Sequence, residues 1–124
     1  MSATLIVCAT CGYDAAAPDG ERPGERFARQ LEARLAARPA PALRLERTAC
    51  LMACKRHCTV ALRAPGKYAY VLGDFAPDAA AADALLDYAA GYQAAERGVV
   101  PFKQWPEGVK GHFVARVPPP GDDL

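Results

Sequence analysis

The five cysteines of this 124-residue chain constrain its fold more than any other feature, because they lie in two short windows. The first window is Cys8-Ala-Thr-Cys11, and the second contains Cys50, Cys54 and Cys58. If both windows supply ligands to one metal centre, the fold must bring together segments that are about 40 positions apart. Four sulfur ligands in a tetrahedral arrangement select zinc or an iron–sulfur cluster over hard cations such as Mg²⁺.

The composition is that of a globular domain and excludes two classes of partner. The chain is 52% hydrophobic and its formal net charge is +1, which gives no support to binding of nucleic acid or of a membrane surface. The first residues are typical of a strand rather than of a signal peptide, so a cytoplasmic location is predicted. Thiols stay reduced there, and clustered cysteines then favour metal binding over disulfides. The odd number of cysteines supports the same interpretation.

The first half of the chain has the pattern of a strand–helix–strand unit. The apolar run Thr4–Val7 predicts a buried strand, and residues 42–48 alternate as a half-buried second strand. Between them, residues 24–38 predict an amphipathic helix. Its apolar positions recur every four residues, at Phe27, Leu31 and Leu35. Two strands joined by a helix in this way run parallel, with a right-handed crossover.

The second half predicts a hairpin followed by a helix. Strands at 59–63 and 67–72 flank Ala64-Pro65-Gly66, and proline followed by glycine is typical of a type II turn. Residues 78–96 are rich in alanine and predict a long helix. Asp78 is the predicted cap of this helix and Gly98 its predicted stop.

This order of elements predicts an α/β protein of thioredoxin-like topology, with a small mixed sheet, a parallel βαβ unit, a β-hairpin and a C-terminal helix. We assign residues 1–100 to a metal-binding domain and residues 101–124 to an extended, irregular arm packed on it. The proline-rich sequence of that arm is the reason for this interpretation, and its predicted packing residues are Phe102, Trp105 and Phe113. Because the carboxyl ends of adjacent parallel strands share one sheet edge, the two cysteine windows should converge.

The cysteines alone leave several interpretations open. Cys8-Ala-Thr-Cys11 has the knuckle spacing of zinc ribbons, in which a closed site of four cysteines is structural. Buried, unreactive thiols are a second interpretation, because cysteine is among the most buried residue types. A dithiol oxidoreductase is a third. That chemistry places the attacking thiol at a helix N-terminus, and the predicted helix begins too far downstream of Cys11.

Two resemblances favour an iron–sulfur cluster. The segment from Cys50 through Cys54 to the hairpin is similar to the second half of thioredoxin-like 2Fe–2S ferredoxins and of the cluster-bearing small subunit of NADH dehydrogenases. Over nearly its full length, the chain resembles a bacterial family of predicted metal-binding proteins of unknown function. The matching pieces are residues 7–11, the second cysteine window and residues 115–119. This resemblance implies that Cys8, Cys11, Cys50 and Cys54 ligate a 2Fe–2S cluster. Cys58 either replaces one of them or packs behind the site.

The expected function is therefore that of a ferredoxin-like one-electron carrier with a protein redox partner, and not that of an enzyme. The alternative is a zinc-binding structural or accessory protein without redox activity. A homodimer is left open by the sequence. A positive rim is expected around the second cysteine window, formed by Arg47, Lys55, Arg56 and Arg63. The remaining candidates are interpreted as structural or surface residues: His57, His112, Asp83 and Asp87.

Overall fold

The computed structural model of the chain describes residues 3–9, 22–38, 43–48, 51 and 58–119. Its helices and strands occur in the order that the sequence predicts, with one strand added. In chain order they are β1 Thr4–Cys8, α1 Pro23–Ala36, β2 Arg44–Thr48, β3 Val60–Arg63, β4 Ala69–Leu72, α2 Ala79–Ala94 and β5 Phe113–Val117. Two short 3-10 turns, at 102–104 and 107–109, lie between α2 and β5.

The strands form one five-stranded mixed sheet in the order β2-β1-β3-β4-β5. The pair β1 and β2 is parallel, and every other neighbouring pair is antiparallel. The parallel pair with α1 between its strands confirms the predicted βαβ unit, and the antiparallel pair β3–β4 confirms the hairpin. The α/β class and the thioredoxin-like topology are thereby confirmed.

The two helices cover one face of this sheet. Alternate strand residues such as Leu5, Leu62 and Leu72 are fully buried there, and they form one core with Phe27 of α1 and Leu85 of α2. The intervening side chains of β1, β3 and β4, on the opposite face, are half-buried or exposed, except for Cys8. This alternation with a period of two is expected of a sheet that is packed on one side only. We call the opposite side the open face.

The hairpin turn is fixed to the end of α2. The Lys67 backbone N–H donates to the Ala64 carbonyl at 3.2 Å, and Gly66 between them has a φ of +73°, as the third position of a type II turn requires. The Lys67 ammonium donates to the carbonyl oxygens of Tyr92 and Gln93, at 3.1 and 2.6 Å. A cation at these last helical carbonyls is favourable because the C-terminal end of a helix carries partial negative charge.

Ion pairs join the exposed sides of the two helices. Arg34 donates two hydrogen bonds of 2.9 Å to the Asp83 carboxylate, and Arg38 donates one of 2.9 Å to Asp87. The hydrogen bond from Arg34 lowers the pKa of Asp83 from its ordinary value. Both aspartates are therefore surface charges, as the sequence predicts, and pairs as exposed as these contribute little stability.

The segment expected to be an irregular arm contains the edge strand β5. Its pairing with β4 places Ala69 opposite Val117 and Val71 opposite Ala115, with an irregularity between Val71 and Leu72. Four of the five residues of β5 are exposed, so the strand has no buried stripe that would reveal it in the sequence. Trp105 and Phe113 pack against the core as expected, whereas Phe102 is 62% exposed.

The N-terminal cap of α2 provides a stability test. An Asp78 side-chain oxygen accepts a hydrogen bond of 2.8 Å from the Ala81 backbone N–H. We expect Asp78→Ala to lower the free energy of unfolding by about 1 kcal/mol, because that N–H loses its acceptor. Asp78→Asn is the matched control, since asparagine caps about as well. Urea denaturation measures both variants, and equal stability of Asp78→Ala and the wild type would contradict the assignment.

Candidate metal centre

Three strand ends meet where the sequence places its cysteine windows. Cys8 is the last residue of β1 and is paired with Thr48, the last residue of β2. The Cys8 backbone N–H donates to the Thr59 carbonyl at 2.9 Å, just before β3 begins. The Ala9 N–H donates to the Thr48 carbonyl at 3.0 Å. One edge of the sheet therefore holds the end of β1, the end of β2 and the start of β3.

Every cysteine of the sequence is at or near one of these ends along the chain. Cys8 and Cys58 are described, whereas Cys11, Cys50 and Cys54 lie outside the described residues, as does His57. Within the ranges that the structure describes, no three His, Cys, Asp or Glu side chains form a group that could hold a metal ion. The predicted ligand set therefore stays a prediction.

Cys8 has an unusual environment for a residue of the open face. Strand alternation places it on the same side as Thr4 and Ile6, which are half-buried, yet Cys8 is only 3% exposed. It is also not among the described side chains that form the hydrophobic core. The Cys8 side chain is thus shielded from water without being packed between sheet and helices.

Cys58 differs from Cys8 in both respects. It is 0% exposed and belongs to the hydrophobic core. Its φ is +51°, in the left-handed region that residues with a Cβ rarely adopt. Burial within the core favours the interpretation that Cys58 packs behind the site as a small apolar residue.

The expected positive rim is wrong for Arg63, whereas Arg47 lies near the candidate centre in an ion pair. Arg63 lies opposite Thr4, four residues from Cys8 and hence about 13 Å away along the strand. Arg47 donates to both carboxylate oxygens of Glu32, at 2.9 and 2.7 Å, and this hydrogen bonding lowers the pKa of Glu32. The positive charge of Arg47 is therefore largely neutralised by the Glu32 carboxylate of α1. Lys55 and Arg56 lie outside the described residues.

His112 has the structural role that the sequence predicts. Its Nδ1 lies 2.9 Å from the Gly73 carbonyl, and its ring stacks on Phe75 at a centroid distance of 4.4 Å. Phe75 stacks in turn on Phe27 of α1 at 5.4 Å. No local pattern in the sequence indicates this stack of three rings, because its members are far apart along the chain.

Comparison with known proteins agrees with this geometry. A family model described as "Protein of unknown function (DUF1636)" matches residues 5–119. The chain belongs to this family. Among solved structures it is similar to a thioredoxin-like [2Fe-2S] ferredoxin from Aquifex aeolicus, with 16% sequence identity and a TM-score of 0.59. The match covers 98% of this chain and 97% of the ferredoxin.

These comparisons confirm the expected membership of a family of unknown function and the likeness to thioredoxin-like ferredoxins. At 16% identity, the ferredoxin is evidence for the fold alone. No curated protein matches the chain. Neither of the described helices is long and apolar enough to cross a membrane.

Proposed function

We propose that this chain binds a [2Fe–2S] cluster through cysteine thiolates and acts as a ferredoxin-like electron carrier in the cytoplasm, where thiols remain reduced. The observation that carries the proposal is the meeting of three strand ends at one sheet edge, with Cys8 N–H bonded to the Thr59 carbonyl and Ala9 N–H bonded to the Thr48 carbonyl. When bound, such a cluster accepts and releases one electron at a time. The proposed ligands are Cys8, Cys11, Cys50 and Cys54.

Covalent geometry supports Cys11 and Cys50 as ligands beside Cys8. Cys11 follows Ala9 by two residues, and Cys50 follows Thr48 by two. Two residues span at most about 7 Å, and the segments are anchored by a hydrogen bond of 3.0 Å between Ala9 and Thr48. Cysteines attached to such closely spaced anchors need no change in the described sheet to approach Cys8. Four cysteine thiolates are also the common ligand set of 2Fe–2S clusters.

The surroundings of Cys8 fit a thiolate ligand better than a packing residue. Its side chain is shielded from water on the open face, and its backbone is fixed by the Thr59 carbonyl on one side and by β2 on the other. A fixed backbone holds the sulfur in place, and restricted access of water helps to set the reduction potential of a bound cluster. The chain itself would thus supply ligation, shielding and a surface for a protein redox partner.

Metal analysis of the purified protein tests this proposal. We expect protein prepared without oxygen to be red-brown and to contain about two iron atoms and two acid-labile sulfides per chain. Dithionite should bleach the colour and produce a paramagnetic signal at low temperature. Colourless protein with about one zinc per chain would contradict the proposal and support the structural zinc site. Reconstitution with iron and sulfide, in competition with zinc, controls for metal acquired during expression.

A further inference from the structure

A cavity of about 770 Å³ lies at the end of the sheet opposite the cysteines. Its lining includes the first residues of β1 and β2, the last residue of β3, the hairpin turn and the residues that follow β5. Thr4, in this lining, is four residues from Cys8, which is about 13 Å along the strand. The cavity is therefore separate from the candidate metal centre, and its volume is within the range of small-molecule sites.

The strand register places one arginine on each side of a threonine in this cavity. Thr4 is paired with Arg44 of β2 and with Arg63 of β3, so the three residues form a row across neighbouring strands. Thr4 alternates with the buried Leu5, which places the row on the open face. Because neighbouring strands are about 4.8 Å apart, the Cα atoms of the two arginines are separated by about 10 Å.

Both guanidinium groups are available to a ligand. The Arg63 side chain makes no hydrogen bond or ion pair with any residue in the described ranges. Arg44 is 71% exposed along its side chain, and the carboxylate of Glu46 approaches it only to 3.9 Å. Lys67 also lines the cavity, but its ammonium is bonded to helix carbonyls. Two arginines facing one cavity with a single distant carboxylate create a site of net positive charge.

The rest of the lining is apolar. Pro65 of the turn forms one part, and Ala69 and Val117 extend the cross-strand row. The other apolar residues are Ala64, Pro118 and Pro119. Apolar walls with a few converging polar groups are typical of sites for small molecules. A guanidinium presents two parallel donors that match a carboxylate or a phosphate.

From these observations we propose that the cavity binds a small organic anion. Its carboxylate or phosphate group lies between Arg44 and Arg63 within reach of the Thr4 hydroxyl, and its apolar body packs against Pro65 and Val117. This site goes beyond the proposed electron-carrier function and does not depend on it.

An NMR titration of the full chain tests the site with four probes. Benzoate and phenyl phosphate carry the two anionic groups on the same ring, benzamidine carries a cation, and inorganic phosphate has no apolar body. We expect benzoate, phenyl phosphate or both to shift the amide signals of Thr4, Arg63 and Val117 saturably at up to about 10 mM. Their relative affinities distinguish a carboxylate site from a phosphate site. Benzamidine should produce no such shifts, and inorganic phosphate should bind more weakly than phenyl phosphate.

Variants test whether the two arginines are responsible. Arg44→Gln and Arg63→Gln should each weaken binding about tenfold, because each removes charge-assisted hydrogen bonds. Arg116→Gln is the matched control. It changes the net charge equally, but the Arg116 guanidinium lies over the Tyr68 ring at 4.9 Å and does not line the cavity. Binding by Arg116→Gln should therefore equal that of the wild type.

Several outcomes would overturn the proposal. The first is that benzamidine saturates the same amide signals at the same concentration as the anions. The second is that Arg63→Gln binds the anionic probes as tightly as the wild type. The third is that neither benzoate nor phenyl phosphate produces saturable shifts. A double variant, Asp122→Asn with Asp123→Asn, addresses competition from the acidic residues that follow Pro119 in the sequence. If probes bind only to this variant, the occupant is the chain's own acidic segment and not a separate anion.

Discussion

Cys8→Ser should purify with almost no cluster iron while keeping its fold. The thiolate of Cys8 is replaced by a hydroxyl, which is a much poorer ligand for iron, and the remaining proposed ligands are only three. Serine is close in size to cysteine, so the hydrogen bonds from the residue 8 N–H to the Thr59 carbonyl and from the Ala9 N–H to the Thr48 carbonyl should persist. Iron and sulfide analysis measures the loss, and circular dichroism shows whether the secondary structure is intact.

Cys58→Ala is the matched control for this experiment. Cys58 is fully buried in the core, where alanine leaves only a small cavity and serine would bury a hydroxyl. We expect Cys58→Ala to keep its iron and to lose about 1 kcal/mol in the free energy of unfolding.

The pair of variants separates the two roles of these thiols. Loss of iron from Cys58→Ala, with retention in Cys8→Ser, would show that Cys58 is a ligand and that Cys8 is not. Loss from both would show that Cys58 is a ligand in place of Cys11, Cys50 or Cys54. Retention in both would remove the described thiols from the site and contradict the proposed centre.

The second large effect is the loss of stability expected for Gly98→Ala, because an added methyl group would both clash with neighbouring atoms and strain the backbone. An alanine Cβ there would lie 2.5 Å from Cε2 of Tyr92 and 3.1 Å from Cβ of Lys67, and the φ of Gly98 is +75°. The Tyr92 ring cannot easily move, because it is fully buried and its hydroxyl donates to the Tyr68 carbonyl. We expect Gly98→Ala to lower the free energy of unfolding by about 2–5 kcal/mol, measured by urea denaturation.

Two other glycines separate the causes of this loss. Gly66 has a φ of +73°, but an alanine Cβ there would have no atom within 4 Å, so Gly66→Ala should cost only the backbone strain of about 1–2 kcal/mol. At Gly108 an alanine Cβ would collide with Cβ of Ala84, but the φ of Gly108 is not positive. The loss of stability in Gly108→Ala therefore measures the cost of steric overlap alone. A Gly98→Ala variant no less stable than Gly66→Ala would contradict the predicted collision with Tyr92.

The elements with strong local signals could be predicted from the sequence. The period of four in α1, the alternation in the hairpin strands and the Pro65-Gly66 turn each determine structure over a few neighbouring residues. The parallel pairing of β1 and β2 follows from the helix between them. The convergence of strand ends at Cys8 is a consequence of that pairing, which is why the sequence indicates the place of the candidate centre.

Features that depend on register or on distant partners could not be predicted. The strand β5 gains its pairing from β4, about 40 residues earlier, and its exposed side chains carry no periodic signal. Arg63 was expected near the cysteines because it follows Cys58 closely in sequence, but β3 carries it away to the opposite end of the sheet. The cavity between Arg44 and Arg63 arises only from the alignment of three strands.

The two outer strands of the sheet differ in how well they resist aggregation. Among the described strands, β2 and β5 each have one neighbour, so the outer backbone groups of each could accept a strand from another molecule. Charged side chains at Arg44 and Glu46 protect β2, whereas β5 exposes Val114 and Val117. Pro118 and Pro119 limit how far a foreign strand could extend along β5. Self-association at high concentration would therefore begin at β5.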